Sequence, residues 1–276
     1  MTSPVSAPFR VAAVQMVSTP RVAENLATAR RLIDQAAADG AGLVVLPEYF
    51  CLMGRRDTDK VEAREPLGQG PIQAALREAA VANKIWLVGG TLPLAADDPA
   101  KVLNTTLVWN PAGEVVARYD KIHLFSFKKT TDKGVESYDE SVTIAAGNTP
   151  STFMAPFGKV GLSICYDVRF PELYRSFGDT ALIVVPAAFT ATTGKAHWEL
   201  LLRARAVENQ CYVLASAQGG VHENRRATFG HSMLIDPWGV VQAVLPEGEG
   251  VVAGDIDPAH MQDVRASLPA LRHRVL

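Results

Sequence analysis

The stretch GLSICYDVRFPELYR, residues 161–175, decides the fold. An apolar run with strand character leads into Cys165, a polar turn follows, and a helix-like segment starts at Pro171. In α/β proteins, ligands collect at the carboxyl ends of the strands. The stretch therefore predicts a strand-to-helix unit of an α/β fold, with a thiol at the edge of the sheet where function is expected.

Helical and strand patterns alternate along the rest of the chain, and hairpins interrupt them. Apolar residues recur at helical spacing after Pro20, and short β-branched runs such as LVV at 43–45 separate the helices. This pattern predicts an α/β layered fold with mixed sheets. Because no low-complexity linker divides the chain, we expect a single domain over residues 1–276, with residues 1–8 as a loose tail.

Residues 126–148 form a polar stretch with little periodicity. Such a stretch predicts a long loop, and loops of this length inside compact domains are often functional.

Composition and charge exclude several classes of protein. The 276 residues carry a net charge of −2 with acids and bases interspersed, so no basic face for nucleic acid is expected. No window approaches the roughly 20 apolar residues that a membrane helix needs, and the first ten residues lack a signal-peptide pattern. Three widely spaced cysteines, Cys51, Cys165 and Cys211, argue against a disulfide framework. We therefore expect a cytoplasmic protein that binds neither nucleic acid nor membranes.

Three polar side chains follow three predicted strands. Glu48, Lys121 and Cys165 each come where a strand ends, so they could meet at one edge of the fold. A carboxylate within reach of a thiol can accept its proton, and an ammonium can stabilise the oxyanion that forms when the thiolate attacks a carbonyl. This set suits hydrolysis of an amide or nitrile through a thioester.

Each of these residues also has a simpler explanation. A cysteine usually packs in the core, a glutamate can cap a helix, and a lysine at a strand end is usually solvated. A Cys–His pair with His123 or His197 ranks second. Neither zinc-ligand spacing nor a phosphate-binding glycine loop is present, and Cys51 and Cys211 are interpreted as packing residues.

A faint internal repeat links two strands. LVVLPEYF at 43–50 and LIVVPAAF at 182–189 share leucine, valine, proline and phenylalanine in register, with Glu48 in the first copy where the second has Ala187. Two such halves facing each other would need the acid in only one of them.

LPEYF, YDKIHLF and GLSICYDVRFPELYR together resemble the three catalytic blocks of the nitrilase superfamily, the carbon–nitrogen hydrolases. The resemblance implies a four-layer αββα sandwich with two mixed β-sheets, pairing through helices into a homodimer or a higher homo-oligomer, and no metal or organic cofactor. It implies that Glu48, Lys121 and Cys165 form the catalytic set. The family's second glutamate falls on Glu140 in SYDES, with Glu136 close by in the same segment.

The resemblance also implies roles around the thiol. The backbone N–H of Tyr166 is expected to bind the oxyanion. Arg169 is expected to clamp a substrate carboxylate, and an ion pair with Asp167 or Glu172 is the alternative. Weaker candidates for the pocket wall are Tyr49, Phe189 and Thr193.

Residues 189–239 resemble the amidase branch that contains deaminated-glutathione amidase and ω-amidase. The expected reaction is therefore hydrolysis of a small carboxylate-bearing amide, first of all deaminated glutathione to 2-oxoglutarate and Cys-Gly. Alternatives are ω-amidase action on 2-oxoglutaramate, hydrolysis of N-carbamoyl amino acids, and nitrilase action. A non-catalytic scaffold with the same fold is the alternative from another class.

Overall fold

A computed structural model describes residues 7–131 and 134–275, with side chains outside 129–136. Of the expected N-terminal tail, residues 1–6 lie outside the described part, while Ala7 and Pro8 are exposed. Of the polar stretch 126–148, residues 132–133 also lie outside it.

The described residues form sixteen strands and six α-helices. The strands are β1 (Phe9–Gln15), β2 (Leu43–Val45), β3 (Trp86–Val88), β4 (Leu92–Ala95), β5 (Val102–Trp109), β6 (Val115–Asp120), β7 (Ser126–Thr131), β8 (Gly134–Asp139), β9 (Ile144–Ala145), β10 (Ser151–Ala155), β11 (Gly158–Leu162), β12 (Leu182–Ala187), β13 (Tyr212–Ala217), β14 (Ser232–Ile235), β15 (Val241–Leu245) and β16 (Gly250–Ile256). The helices are α1 (Val22–Ala38), α2 (Asp59–Glu62), α3 (Pro71–Asn83), α4 (Pro171–Ser176), α5 (Ala191–Asn209) and α6 (Pro258–Ser267).

Two mixed sheets form the centre of the molecule. The first has the order β16-β1-β2-β3-β5-β4, with β6 and β9 also paired to β5. The second has the order β10-β11-β12-β13-β14-β15. In each sheet three neighbouring strands are parallel, namely β1, β2 and β3 in the first and β11, β12 and β13 in the second. Their carboxyl ends therefore carry the segments that follow β2 and β11.

Alternation along the strands separates two apolar layers. Val11 and Ala13 of β1 face the second sheet, whereas Ala12 and Val14 face α1 and α3. Trp198 on α5 belongs to the layer that includes the second sheet. The order of layers is helix, sheet, sheet, helix, so the expected αββα sandwich with two mixed sheets is confirmed. The single-domain assignment stays a prediction.

Helix α5 begins earlier than its apolar pattern indicates. The periodicity starts at Ala196, but the helix begins at Ala191 after Thr190, whose hydroxyl accepts a hydrogen bond from the Thr193 N–H. The apolar pattern does not predict this first turn because it contains Gly194, and glycine disfavours a helix interior. The position is tight, because a Cβ there would lie 2.3 Å from the Cβ of Phe229.

The expectation of a loop over 126–148 is wrong. The segment contains the hairpin β7–β8, a 3₁₀ turn at Glu140–Val142 and the short strand β9. The hairpin forms its own two-stranded sheet and pairs with neither large sheet. It therefore does not need the alternating apolar face by which buried strands are recognised.

Candidate active site

Glu48 lies just beyond the carboxyl end of β2 and is buried, with 1% of its side chain exposed. Its Oε1 accepts hydrogen bonds from Asn104 Nδ2 at 2.9 Å and from Lys121 Nζ at 2.8 Å. Its Oε2 accepts one from the backbone N–H of Ala188 at 2.8 Å. A carboxylate held by three donors has a fixed orientation, which a general base requires.

The turn that carries Glu48 is conformationally unusual. Tyr49, the next residue, has a φ of 56°, in the left-handed region that few residues other than glycine occupy. Its N–H donates to Thr91 Oγ1 at 2.9 Å. Strained backbone of this kind is retained where the surrounding structure determines it.

Cys165 starts a 3₁₀ turn, Cys165–Arg169, after β11, and its φ of 47° is also left-handed. Its side chain is buried but lines a cavity together with Glu48 and Lys121. Burial raises the pKa of the Cys165 thiol well above its usual value; the nearby Glu48 carboxylate raises it further, and Lys121 opposes the rise. The resting group is a neutral thiol at pH 7, so it needs a base to become a nucleophile.

Lys121 bridges two carboxylates. Its Nζ lies 2.8 Å from Glu48 Oε1 and 2.8 Å from Glu140 Oε2, and 1% of its side chain is exposed. Burial alone would lower the pKa of Lys121, but Glu140 and Glu48 raise it above its usual value. Burial likewise favours a raised pKa for Glu140, and Lys121 outweighs it and lowers that pKa. The lysine is therefore cationic at pH 7. Because Glu140 Oε1 also lies 3.0 Å from Nζ, the ammonium is held by one oxygen of Glu48 and both oxygens of Glu140.

The cavity at Cys165 is small. Its volume is about 10 Å³, close to what roughly one water molecule needs. We call this cavity the inner pocket; its lining residues are Glu48, Lys121, Phe125, Glu140, Cys165, Tyr166, Ala188, Phe189, Thr190, Thr193 and Arg226.

A wider cavity of about 260 Å³ adjoins the inner pocket, and we call it the outer chamber. Both cavities share Phe125, Glu140 and Arg226 in their walls. The hairpin β7–β8 and the turn after it contribute Tyr138, Asp139 and Glu140 to the chamber. The segment expected to be a loop is thus part of the site.

The other residues expected around the thiol occupy three kinds of position. Tyr166, Phe189 and Thr193 line the inner pocket, whereas Tyr49 lies in the wall of the outer chamber. Arg169 lies over the Tyr166 and Phe189 rings, at 5.7 and 5.2 Å from their centres.

The alternative explanation for Arg169 does not match its contacts. The guanidinium lies 3.4 Å from His197 Nδ1, and among the described residues it forms no ion pair with Asp167 or Glu172. It therefore stays at the rim of the inner pocket with no carboxylate bound to it.

The two candidate histidines have other partners. His123 Nδ1 lies 2.7 Å from Asp167 Oδ1, and the His123 ring stacks on Phe170 with centres 3.8 Å apart. His197 lies beside Arg169, and neither histidine lines the inner pocket. The geometry therefore does not support a Cys–His pair. Over residues 7–131 and 134–275, no group of three or more His, Cys, Asp or Glu side chains is arranged to hold a metal ion, and no helix is long and apolar enough to cross a membrane.

Asp167 ties the lysine segment to the cysteine turn, a role that sequence reasoning missed. Its Oδ2 accepts from the Ile164 N–H and the Tyr119 hydroxyl, both at 2.8 Å. Its Oδ1 accepts from the His123 N–H at 3.2 Å and contacts the His123 ring. The fully buried carboxylate thus connects β6 and the residues after Lys121 to the turn that presents Cys165.

We expect Asp167→Asn to lower the free energy of unfolding by about 1–3 kcal/mol, the cost of an unsatisfied buried donor. In either orientation of the asparagine amide, its NH₂ group would face a backbone N–H, that of Ile164 or that of His123. Urea unfolding at pH 7 measures the loss. Tyr119→Phe is the matched control, since it removes one donor and should cost about 1 kcal/mol. An Asn variant as stable as the wild type would show that the network does not require a carboxylate at this position.

Two further contacts to Glu48 gave no sequence signal. Asn104 lies on β5, two strands away from β2 in the first sheet, and its amide donates to Glu48 Oε1. Ala188 contributes only its backbone N–H, and it lies in the second copy of the internal repeat. The two copies therefore meet at the carboxylate that only the first one carries.

Comparisons with known proteins identify the family. The sequence profile of the carbon–nitrogen hydrolase family matches residues 10–266. The chain therefore belongs to the carbon–nitrogen hydrolase family, and the resemblance stated from its motifs is confirmed. A Synechocystis protein named deaminated glutathione amidase is 44% identical over 273 residues, which cover 97% of this chain and 98% of that protein.

Two solved structures show the same fold. Saccharomyces cerevisiae Nit3, a member of branch 10 of the nitrilase superfamily, superposes with a TM-score of 0.86 at 31% identity, covering 100% of this chain and 99% of Nit3. A glutamate-to-glutamine mutant of the amidase from Nesterenkonia, solved with acrylamide added to its active-site cysteine, has a TM-score of 0.76 at 25% identity. That match covers 95% of this chain and 98% of the amidase.

Proposed function

We propose that this protein is an amidase that cleaves deaminated glutathione into 2-oxoglutarate and Cys-Gly through a thioester on Cys165. The observation that carries the proposal is the meeting of Glu48, Lys121, Glu140 and Cys165 around one pocket. The substrate is supported by the name of the Synechocystis relative, and the nucleophile by the adduct on the active-site cysteine of the Nesterenkonia amidase.

In the proposed acylation step, Glu48 takes the proton from the Cys165 thiol, and the sulfur attacks the amide carbon. An N–H of the Lys121 ammonium and the backbone N–H of Tyr166 donate to the oxyanion. One such donor contributes roughly 3–4 kcal/mol of transition-state stabilisation. When the tetrahedral intermediate collapses, Glu48 returns the proton to the departing nitrogen, and the C–N bond breaks.

Deacylation repeats the sequence with water. Glu48 accepts a proton from the water as its oxygen attacks the thioester carbon. The C–S bond then breaks, the thiolate recovers its proton from Glu48, and the carboxylic acid is released. Glu140 keeps the ammonium in place throughout, because its carboxylate binds Lys121 Nζ at the same time as Glu48 does.

Arg169 is proposed to bind the carboxylate of the acyl group. Its guanidinium lies over two rings that line the inner pocket, and it has no carboxylate partner among the described residues. A planar fork of N–H donors suits bidentate contact with a carboxylate.

A kinetic panel tests the proposed function. It compares kcat/KM for deaminated glutathione, 2-oxoglutaramate, N-carbamoyl amino acids and a matched nitrile. We expect deaminated glutathione to give the highest value. Preference for 2-oxoglutaramate would indicate an ω-amidase, and preference for the nitrile would overturn the amidase assignment. Absence of turnover with every compound would favour the scaffold alternative.

We further propose a cytoplasmic homodimer or a higher homo-oligomer. All three cysteines are unpaired, which suits a reducing compartment. On the outer face of α5, Leu200 and Val207 are exposed, and Trp238 and Val240 are exposed on the turn that Val207 touches. A second copy of the chain would cover such an apolar surface. Light scattering at micromolar concentration measures the mass, and a monomer would contradict the proposal.

A further inference from the structure

The wall of the outer chamber carries cationic side chains that take no part in the proposed catalysis. The wall contains five cationic and three acidic side chains: Arg55, Arg56, Lys60, Arg225 and Arg226, with Asp57, Asp139 and Glu140. Three of these eight charges form ion pairs with residues outside the chamber wall, and Lys60 and Asp57 lie 3.7 Å apart. Arg55 binds Glu223, Arg56 binds Asp59 and Glu62, and Glu140 binds Lys121. Lys60 and Arg226 are the two half-buried cations of the chamber wall.

Among the residues whose side chains the structure describes, Arg226 is held in place without an ion-pair partner. Its Nη2 donates to the Ala188 carbonyl at 3.1 Å, and its guanidinium lies 5.9 Å from the centre of the Tyr49 ring and 5.5 Å from that of Tyr138. Its Nε is buried and has no hydrogen-bond partner in the described part of the chain. A buried donor without a partner carries a desolvation cost, which an anionic ligand would offset.

Lys60 reaches the same aromatic ring from α2. Its Nζ lies 5.9 Å from the centre of the Tyr49 ring and donates to Thr143 Oγ1 at 3.1 Å. Its acidic neighbour Asp57 is 3.7 Å away and mostly exposed. Burial lowers the pKa of Lys60, and Asp57 and Glu140 do not fully compensate. A carboxylate beside Lys60 would therefore stabilise its charged form.

The departing amine must reach solvent, which places the outer chamber on the amine side of the scissile bond. The amine departs while the acyl group is still attached to Cys165, and the inner pocket has room for little more than a water molecule. The wider outer chamber, which shares Phe125 and Glu140 with the inner pocket, offers the space for a bulky amine. Arg169 lies over Tyr166 and Phe189, which line the inner pocket but not the chamber.

We propose that the outer chamber is the subsite for the amine half of the substrate, and that Arg226 and Lys60 bind a carboxylate on that half. This inference rests on the proposed function. It assigns the two carboxylates of a substrate such as deaminated glutathione to separate cations: the acyl carboxylate to Arg169 and the carboxylate of the amine half to the chamber. It also explains why a large amine would be selected over ammonia, which has no group to occupy the chamber.

The test compares two substrates that differ only in that carboxylate: deaminated glutathione and its C-terminal glycinamide. We expect Lys60→Met and Arg226→Met each to lower kcat/KM for deaminated glutathione about 10- to 100-fold, mainly through KM, because each removes a charged hydrogen-bond donor. With the glycinamide, both variants should lose much less than with deaminated glutathione. Arg226→Lys should recover part of the loss, since it keeps the charge.

The decisive measurement is the ratio of kcat/KM for deaminated glutathione to kcat/KM for its glycinamide. Arg226 also supports Ala188, so Arg226→Met could slow both reactions, but that effect cancels in the ratio. Arg64→Met is the matched control, because it removes one cation from the same segment as Lys60 at a position outside the chamber wall. Equal losses on both substrates would overturn the assignment of the chamber. If the wild type cleaves neither compound, the proposed function fails instead.

Discussion

Cys165→Ala is expected to lower kcat about 10⁴-fold or more, because it removes the thiol that forms the proposed thioester. The loss should appear in kcat with every amide substrate. Intact-mass measurement after brief mixing with substrate should show an acyl adduct on the wild type and none on the variant. Since the side chain is small and Ala keeps the Cβ, the fold should persist.

Cys211→Ala is the matched control for this change. Cys211 is as buried as Cys165 but lies in the core, and burial raises the pKa of its thiol to about 12, so it is inert at pH 7. We expect the control to keep wild-type activity and the adduct. Substantial turnover by Cys165→Ala would eliminate the thioester mechanism, whichever substrate is used.

Glu48→Gln is expected to lower kcat about 10³-fold, within the range for loss of a general base. The thiol has a raised pKa and does not ionise by itself at pH 7, so the base cannot be dispensed with. The amide also cannot reproduce the contacts of the carboxylate. In either orientation its NH₂ group faces a donor: the Ala188 N–H, or Lys121 and Asn104 together. Steady-state kinetics with deaminated glutathione, together with a thermal unfolding curve, separates lost catalysis from lost stability.

Glu140→Gln provides the comparison that isolates the role of the base. Both variants take one carboxylate away from Lys121, but only Glu48 is proposed to move protons. Glu140→Gln should therefore cost only about 10- to 100-fold, the worth of a charge-assisted contact. If the two variants lose activity equally, Glu48 and Glu140 act as one unit that holds the lysine, and the assignment of the base to Glu48 is wrong.

More of the reactive centre than of the surfaces around it could be predicted from the sequence. Glu48, Lys121 and Cys165 each follow a strand, and functional groups gather at the carboxyl ends of strands, so their positions along the chain allowed them to meet, and the resemblance implied that they form one set. Glu140 follows no buried strand, so only the resemblance pointed to it. It comes at the end of the hairpin β7–β8, which lacks the apolar alternation of a buried strand.

The chamber and the supporting network were beyond a single sequence for another reason. Lys60 comes from the one-turn helix α2 and Arg226 from the segment between β13 and β14, so their meeting over Tyr49 depends on how the segments between the strands pack. Asp167 lies two residues after the nucleophile, where a carboxylate is usually solvated or paired with a nearby arginine. Its actual partners, Tyr119 and His123, come from another part of the chain.

The proposed thioester mechanism sets the order in which products leave, and the small volume of the inner pocket suits that order. Water and the departing nitrogen would occupy the same place beside Glu48, and there is room for little more than one of them. On the proposed mechanism the amine must diffuse away before hydrolysis begins, which gives the kinetics a ping-pong form. A small nucleophile such as hydroxylamine, present during that interval, would intercept the acyl group in competition with water and divert it to a hydroxamate.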